Sequence, residues 1–233
     1  MAVTAVTIEL RNVAKTFTLH NQGGAVIRVM DGAHLSVAPG ECVALTGASG
    51  AGKSTLMRMI YGNYRAAQGT ILVGGVDVAI APPRDIIRLR REVLGYVSQF
   101  LRVVPRVPTL DVVAEPLRAT GVPAEAARDR AAALLERLNI PRTLWGLSPT
   151  TFSGGEQQRV NIARGFAHPF PALLLDEPTA SLDFANREIV LGLIEDAKAR
   201  GAAIVGIFHD EAARARICDR EIDVSVFAPD RAT

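Results

Sequence analysis

Nine consecutive residues in the first quarter of the chain have the composition of a phosphate-binding loop. They are Gly47, Ala48, Ser49, Gly50, Ala51, Gly52, Lys53, Ser54 and Thr55. The pattern G-x-x-x-x-G-K-[ST] lets a glycine-rich backbone wrap around anionic oxygens at the positive end of a helix. Lysine adds a point charge for the outer phosphates, and the serine hydroxyl can ligate Mg²⁺. A chance match is the alternative, expected about once in a hundred chains of this length. We therefore predict a phosphate site here.

Two carboxylates follow an apolar run farther along, in Leu173-Leu174-Leu175-Asp176-Glu177. Alone the pattern is weak, because many buried strands end at an acidic loop. Together with a phosphate-binding loop it predicts that Asp176 holds Mg²⁺ and that Glu177 is the base for a water attacking the outer phosphate.

The segment 152–159, F-S-G-G-E-Q-Q-R, has two compatible interpretations. Ser153 and Glu156 have the spacing of a capping box, which predicts the start of a helix. Gly154 and Gly155 would leave backbone N–H groups uncovered at that helix end, which predicts a second anion site.

Strand and turn signals place these residues on an α/β scaffold. Segments 3–10, 26–30 and 34–37 have strand character, and the turn at 21–24 and Pro39-Gly40 predict antiparallel pairing. Apolar runs at 42–46, 172–175 and 202–208 predict buried strands of a mostly parallel sheet. Segment 100–165 is helical and is interrupted by prolines. We expect one domain over 1–233, with the β subdomain and core at 1–99 and 166–233 and an inserted helical subdomain at 100–165.

Composition excludes several classes of protein. A net charge of +2 is too small to indicate a basic nucleic-acid-binding face. No apolar window is long enough to span a bilayer, and the first residues lack a secretory signal, so we expect a cytoplasmic protein without direct membrane insertion. Cys42 and Cys218 are expected to be buried, reduced thiols.

The motif order resembles that of the ATP-binding cassette (ABC) ATPases over nearly the whole chain. The order is the P-loop, Gln99, F-S-G-G-E, L-L-L-D-E, S-L-D and His209. The resemblance implies a RecA-like core, ATP and Mg²⁺ as cofactors, and a second ABC subunit, identical or different. Each nucleotide would lie between one P-loop and the partner's signature helix, which starts here at Ser153. Phe152 and Glu156 depart from the commonest signature, which has Leu and Gln there.

The same resemblance assigns roles to single residues. Gln99 would sense Mg²⁺ and the attacking water, joining Ser54 and Asp176 as a metal ligand. His209 would bind the γ-phosphate, and Asp183 would touch the opposite subunit. Phe17 would stack on adenine, with a core phenylalanine as the alternative.

Several less general segments resemble a narrower group, the PhnL family, which is the ABC-type component of the bacterial carbon–phosphorus lyase system. They are residues 97–103, 105–106, 120–123, 144–145, 153–166 and 201–211. This resemblance implies soluble phosphonate-processing partners and the ATP-dependent synthase step that yields ribose 1-methylphosphonate 5-triphosphate. The alternatives are the nucleotide-binding subunit of an ABC exporter or importer, and an ABC-like scaffold without turnover. Lys53, Glu177 and His209 argue against the scaffold.

The residues after Gln99 form a candidate partner surface. Phe100, Leu101, Arg102, Val104 and Arg106 combine apolar side chains with arginines, as protein contacts often do. The alternative is that Phe100 and Leu101 pack into the helical subdomain.

Overall fold

The computed structural model describes residues 6–19, 21 and 23–229, which form two β-sheets and a set of helices. The strands are β1 (Ile8–Leu19), β2 (Ala25–Val37), β3 (Cys42–Thr46), β4 (Gln68–Val73), β5 (Val76–Asp77), β6 (Leu94–Val97), β7 (Ala172–Asp176), β8 (Ala203–Ile207) and β9 (Arg220–Asp223). The helices are α1 (Lys53–Ile60), α2 (Pro83–Glu92), α3 (Thr109–Ala119), α4 (Ala124–Arg137), α5 (Gly154–Ala167), α6 (Phe184–Ala199) and α7 (Glu211–Ile217).

The first sheet is antiparallel, with strand order β2-β1-β4-β5. The predicted antiparallel pairing near the N-terminus is thus confirmed, but the prediction of separate strands at 26–30 and 34–37 is wrong. They are one strand, because register shifts between β1 and β2 bend the ribbon without ending it. Strand β1 also continues to Leu19 instead of ending at residue 10, while residues 3–5 lie outside the described part.

The turn predicted at 21–24 is found where β1 and β2 join. Gly23 and Gly24 have φ of 64° and 76°, and the Gly24 N–H donates to the Leu19 carbonyl at 3.1 Å. Gln22, in the middle of the predicted turn, lies outside the described residues.

The second sheet is parallel, with strand order β6-β7-β8-β3-β9. Its buried strands match the predicted ones at 42–46 and 172–175, and the run at 202–208 gives β8. Side chains alternate between two cores. Leu173 and Leu175 face the helical side, whereas Ala172 and Leu174 face α1 and the antiparallel sheet. Both faces are therefore covered, as parallel sheets require.

The helical segment contains α3, α4 and α5, which pack against one another. Pro108, Pro123 and Pro141 each lie immediately before a helix or 3-10 turn, so these prolines set where the pieces begin. Helix α5 continues to Ala167, two residues beyond the predicted end of this segment.

All strands of the second sheet run in the same direction, so their carboxyl ends meet at one edge. Gly47 follows β3 and Gln99 follows β6. Asp176 ends β7, Glu177 comes directly after it, and His209 follows β8. Topology alone therefore brings together residues that are up to 162 positions apart in sequence (209 − 47).

Across the part of the chain that the structure describes, none of the helices has the length and apolar character needed to traverse a bilayer.

Candidate nucleotide site

The P-loop connects β3 to α1, and its conformation requires glycine. Gly47, Gly50 and Gly52 have φ of 118°, 82° and 99°, in the region that favours glycine. Space adds to the requirement, because a Cβ at Gly47 would lie 2.8 Å from Oδ1 of Asp223. At Gly52 the added atom would lie 3.1 Å from the Met30 side chain. The loop is therefore packed against β2 and the end of β9.

The amino end of α1 is suited to anionic oxygens. The helix begins at Lys53 after Gly52, and no side chain caps its first turn. The N–H groups of that turn are thus left for a ligand, and the positive helix end favours an anion. The Lys53 ammonium lies beside the loop, where it donates to the carbonyls of Gly47 at 2.6 Å and Ala48 at 3.0 Å.

Asp176 is the buried carboxylate of the site, only 5% exposed. It accepts a hydrogen bond from the Tyr96 hydroxyl at 3.1 Å, across the β6–β7 pair. Burial raises the pKa of Asp176, and the neighbouring Glu177 charge acts in the same direction, while the Tyr96 bond opposes them. Burial likewise raises the pKa of Tyr96, so the phenol remains the donor.

Glu177 lies at the centre of a three-residue contact. Its Oε1 lies 2.7 Å from His209 Nε2, and its Oε2 accepts from Gln99 Nε2 at 3.3 Å. Its backbone is in the left-handed region, with φ 55°, and its N–H donates to the Ile207 carbonyl at 3.0 Å. Three strand ends thus converge on one carboxylate.

The predicted capping box at the start of α5 is confirmed. Ser153 Oγ accepts from the Glu156 N–H, and the Glu156 carboxylate accepts from the Ser153 N–H at 2.9 Å. The Ser153 hydroxyl also donates to the Glu156 carboxylate at 2.7 Å. This bond, and after it the bond from the Ser153 N–H, lowers the pKa of Glu156. A Cβ on Gly154 would meet nothing within 4 Å, so its backbone is open on that side.

Two buried amides of α5 connect that helix to the strand ends, and sequence patterns did not single them out. Gln158 Nε2 donates to the carbonyls of Glu177 and Pro178, each at 3.4 Å. Asn161 Nδ2 donates to the Ser98 carbonyl, next to Gln99. On sequence alone both residues fit the polar face of a helix, and only the tertiary structure shows their contacts.

Asp183 and Phe17 lie apart from the Glu177 cluster. Asp183 caps α6, with Oδ1 accepting from the Asn186 N–H at 2.8 Å, and this bond lowers the pKa of Asp183. Phe17 is half-buried on β1 and makes an edge contact with Tyr64, with ring centroids 5.3 Å apart. The ammonium of Lys15 lies 4.5 Å from the Phe17 ring centroid.

The predicted metal ligands suit Mg²⁺ in chemical type. A serine hydroxyl (Ser54), an amide (Gln99) and a carboxylate (Asp176) are hard oxygen donors. In residues 6–19, 21 and 23–229, no group of three or more His, Cys, Asp or Glu side chains is placed to hold a metal. Mg²⁺ commonly keeps water and substrate phosphate oxygens among its ligands, so a small set of protein oxygens is a usual complement.

A cleft of about 870 Å³ opens beside this site, between β6 and the helical segment. Asp176 and Gln99 line its inner end, and Phe100 and Arg102 line it farther along. The charge of the cleft is mainly positive, from the arginines Arg58, Arg90, Arg91, Arg102 and Arg164 against the carboxylates of Glu115 and Asp176. Phe100 and Val104 are each 70% exposed, whereas Leu101 packs against the helical core. Leu101 thus packs into the helical subdomain, whereas Phe100 does not, and a partner surface at the exposed residues stays a prediction.

Comparison with known proteins agrees with this geometry. The ABC transporter family model matches residues 30–180. The macrolide export ATP-binding/permease protein MacB 1/2 of Paracoccus denitrificans is 39% identical over 210 residues, which are 90% of this chain and 31% of that protein. An uncharacterized ABC transporter ATP-binding protein of Mycobacterium bovis is 40% identical over 191 residues, covering 82% of this chain and 58% of that protein. The chain thus spans about a third to somewhat over half of these relatives.

A solved structure shares the fold. It is a dimeric post-hydrolysis state of the ATP-binding cassette MJ0796, bound to ADP and Pi, with a TM-score of 0.85 and 27% identity. The match covers 94% of this chain and 95% of that one. The predicted fold class, an α/β ABC domain with a mostly parallel core, an antiparallel sheet and inserted helices, is confirmed. The chain belongs to the ABC transporter family and is an ATPase domain of that family.

Proposed function

We propose that this chain binds MgATP at the P-loop and hydrolyses it with Glu177 as the general base. The observation that carries the proposal is the convergence of His209 and Gln99 on the Glu177 carboxylate. A carboxylate fixed by two neighbours is oriented toward one direction of proton transfer. The left-handed backbone of Glu177, directly after β7, sets the direction in which this side chain leaves the strand.

The residues around it take complementary roles in this proposal. Lys53 leaves the loop carbonyls to bind the outer phosphates, and His209 binds the γ-phosphate. Ser54, Gln99 and Asp176 hold Mg²⁺, whose charge would offset the charge that develops on the transferred phosphoryl oxygens. Tyr96 positions Asp176 from the side of the cleft through its hydroxyl bond. Phe17 stacks on adenine.

The signature helix serves a second subunit in this scheme. The amino end of α5 is formed by Ser153, Gly154 and Gly155. Among the described hydrogen bonds, none joins this helix end to a P-loop residue of the same chain. We propose that this end binds the nucleotide held by a partner ABC subunit, and that Asp183 meets that partner. The MJ0796 structure, which is dimeric, supports the arrangement.

Two larger assemblies fit the cleft beside Gln99. The relatives reported above are transporter components. They favour a nucleotide-binding subunit that contacts the cytoplasmic face of a membrane permease through this cleft. The second candidate is the carbon–phosphorus lyase system, with the ATP-dependent synthase step. One observation favours it: residues of the segment 97–103, which carries the narrower resemblance, line the cleft where a partner would be recognised.

Copurification separates the two assemblies. The tagged chain is purified in detergent from cells grown on phosphate and from cells grown on methylphosphonate. The transporter proposal predicts recovery of a polytopic membrane protein in both cultures. The carbon–phosphorus lyase candidate predicts soluble partners on methylphosphonate, and it predicts that deleting the gene blocks growth on that phosphorus source alone.

A charge reversal tests the docking cleft itself. Arg102→Glu should reduce partner recovery about tenfold or more while ATP binding is kept, because Arg102 lines the cleft and lies outside the P-loop. Arg200→Glu, at the end of α6 and away from the cleft, is the matched control. Equal recovery with Arg102→Glu and wild type would contradict docking in this cleft.

A further inference from the structure

The two cysteines of the chain meet at the end of the parallel sheet opposite the P-loop. Cys42 is the first residue of β3 and Cys218 is the residue that ends α7, 176 positions away. Their Sγ atoms are 3.6 Å apart. Cys42 is fully buried and Cys218 is partly exposed. The expectation of two buried thiols thus holds for Cys42, while Cys218 keeps some contact with solvent.

The backbone on both sides of the pair is held by hydrogen bonds. The Cys42 N–H donates to Asp219 Oδ2 at 2.8 Å, and the Asp219 N–H donates to the Cys42 carbonyl at 2.9 Å. Lys198 Nζ contacts the same Asp219 carboxylate at 2.9 Å and the Ile217 carbonyl at 2.6 Å. Since the main chain is held on both sides, closing the sulfurs from 3.6 Å to the disulfide length of about 2.05 Å falls to rotation of the two side chains.

The surroundings give the two sulfurs different reactivity. The hydrogen bond from Cys42 is the main cause that lowers the pKa of Cys218, and Lys198 acts in the same direction against burial and the nearby Glu221 and Asp219. The same bond, with burial, raises the pKa of Cys42. The more accessible sulfur is therefore the better nucleophile. A surface cavity of about 350 Å³ lies nearby, lined by Lys198 and by Ile217, the residue that precedes Cys218.

We propose that Cys42 and Cys218 are a peroxide-oxidised dithiol that closes to an intramolecular disulfide. The Cys218 thiolate attacks one oxygen of hydrogen peroxide, the O–O bond breaks, and hydroxide leaves, so Cys218 becomes a sulfenic acid. The Cys42 sulfur then attacks the Cys218 sulfur and forms the S–S bond. The displaced hydroxide takes the Cys42 thiol proton and leaves as water. The first hydroxide takes the proton that Cys218 released on becoming a thiolate, so in total two thiols and one peroxide give one disulfide and two waters.

The bridge would join segments that lie far apart in sequence. It closes a loop of nearly the whole nucleotide-binding fold, which restricts the unfolded chain and stabilises the folded one. The P-loop follows the other end of β3, about 13 Å away at roughly 3.3 Å per residue, so the bridge leaves the phosphate site free.

Mass spectrometry of the full-length protein tests the proposal. Reduced protein is treated with hydrogen peroxide and its free thiols are then alkylated. The proposal predicts a mass loss of about 2 Da, for the two hydrogens removed, with no alkylation and one non-reduced peptide joining Cys42 to Cys218. The thermal midpoint should rise by roughly 5–10 °C and return after reduction.

Single-cysteine variants show whether each sulfur has the assigned role. Cys42→Ala and Cys42→Ser should both leave Cys218 to gain oxygen, as sulfenic and then sulfinic acid, without the rise in midpoint. Cys218→Ser should leave Cys42 unoxidised under the same treatment, because Cys42 is buried. The proposal is overturned if the wild-type protein keeps two alkylatable thiols, or if it gains oxygen at both cysteines without cross-linking.

Discussion

Glu177 combines a backbone conformation that is uncommon in non-glycine residues with a carboxylate held by its neighbours. It has a positive φ of 55°, and its carboxylate contacts two polar side chains from neighbouring strand ends. Such backbone conformations persist where the surrounding structure holds them and cluster at functional sites. Here the bond from the Glu177 N–H to Ile207 and the contact with His209 hold the residue. The strained backbone thus agrees with the role that we propose for its side chain.

The P-loop lysine gives the first prediction at this scale. Lys53→Ala should lower ATP affinity at least about tenfold, because the outer phosphates lose a charge-assisted hydrogen bond worth roughly 1.5–3 kcal/mol. Fluorescent-ATP titration measures the change, with Lys198→Ala at the opposite end of the sheet as the control. Unchanged affinity in Lys53→Ala would rule out the proposed phosphate site.

Asp176 gives a prediction about stability and pH. Since burial raises the folded-state pKa of Asp176, its ionisation is unfavourable to folding. This cost is absent below the pKa that Asp176 has in the unfolded chain. It grows as the pH rises from there through the raised pKa of the folded state, and it is complete above that folded-state pKa. Asp176→Asn keeps an acceptor for Tyr96 and removes the charge, so it should raise the thermal midpoint at pH 7.5.

The increase in thermal midpoint that Asp176→Asn brings should become smaller as the pH is lowered. The Mg²⁺-dependent ATPase activity of this variant should be lost at all pH values. Thermal melts of the nucleotide-free protein across the pH range measure the first effect. A variant that is less stable than wild type at pH 7.5, or equally more stable at every pH, would contradict the account of this carboxylate.

At the scale of elements, α5 is the part that links the helical segment to the strand ends of the parallel sheet. Its first turn carries the capping box, and its buried amides Gln158 and Asn161 bond to the loops after β7 and β6. A movement of this helix would therefore reach Glu177 and Gln99 through specific hydrogen bonds. This helix also ends at Ala167, so we propose residue 167 as the end of the helical subdomain in place of the predicted 165.

Removing one of these amides should impair both folding and hydrolysis. Gln158→Ala leaves the carbonyls of Glu177 and Pro178 without its two bonds, which should cost about 1–3 kcal/mol of unfolding free energy. ATP turnover should fall about tenfold, because the Glu177 backbone is less well held. Urea unfolding and an ATPase assay measure both effects, and Gln68→Ala, an exposed glutamine on β4, is the control. Full activity in Gln158→Ala would show that this link is dispensable.

Sequence patterns predicted the elements whose signals are local. The buried strands β3, β7 and β8 appear as short apolar runs, and the P-loop and capping box depend on neighbours within a few residues. Strand β5, of two residues, and the bulged ribbon of β1 and β2 have no comparable local signal. The bond from Tyr96 to Asp176 and the Cys42–Cys218 contact depend on strand order and end-to-end packing, which no spacing along the chain encodes.

At the scale of the whole molecule, one edge of one sheet gathers the proposed catalytic residues, and the helical segment carries the helix end at which we propose a second anion site. Under this proposal a single chain offers both halves of a nucleotide sandwich, at two separate places on its surface. The dimeric cassette with the same fold supports a second subunit that completes each half. ATP binding would then control association, and hydrolysis at Glu177 would release it.

The central claim is that Glu177 is the base of an ATP-hydrolysing site, and the identity of the bound nucleotide tests it most directly. Wild type and Glu177→Gln, each with its copurifying partner, are incubated with MgATP, separated from free nucleotide and analysed by chromatography. Glutamine keeps the shape of the side chain but cannot accept the water's proton at neutral pH. The account predicts ADP on wild type and intact ATP on Glu177→Gln, with the variant shifted toward the dimer. ADP on both proteins in equal amount would contradict it.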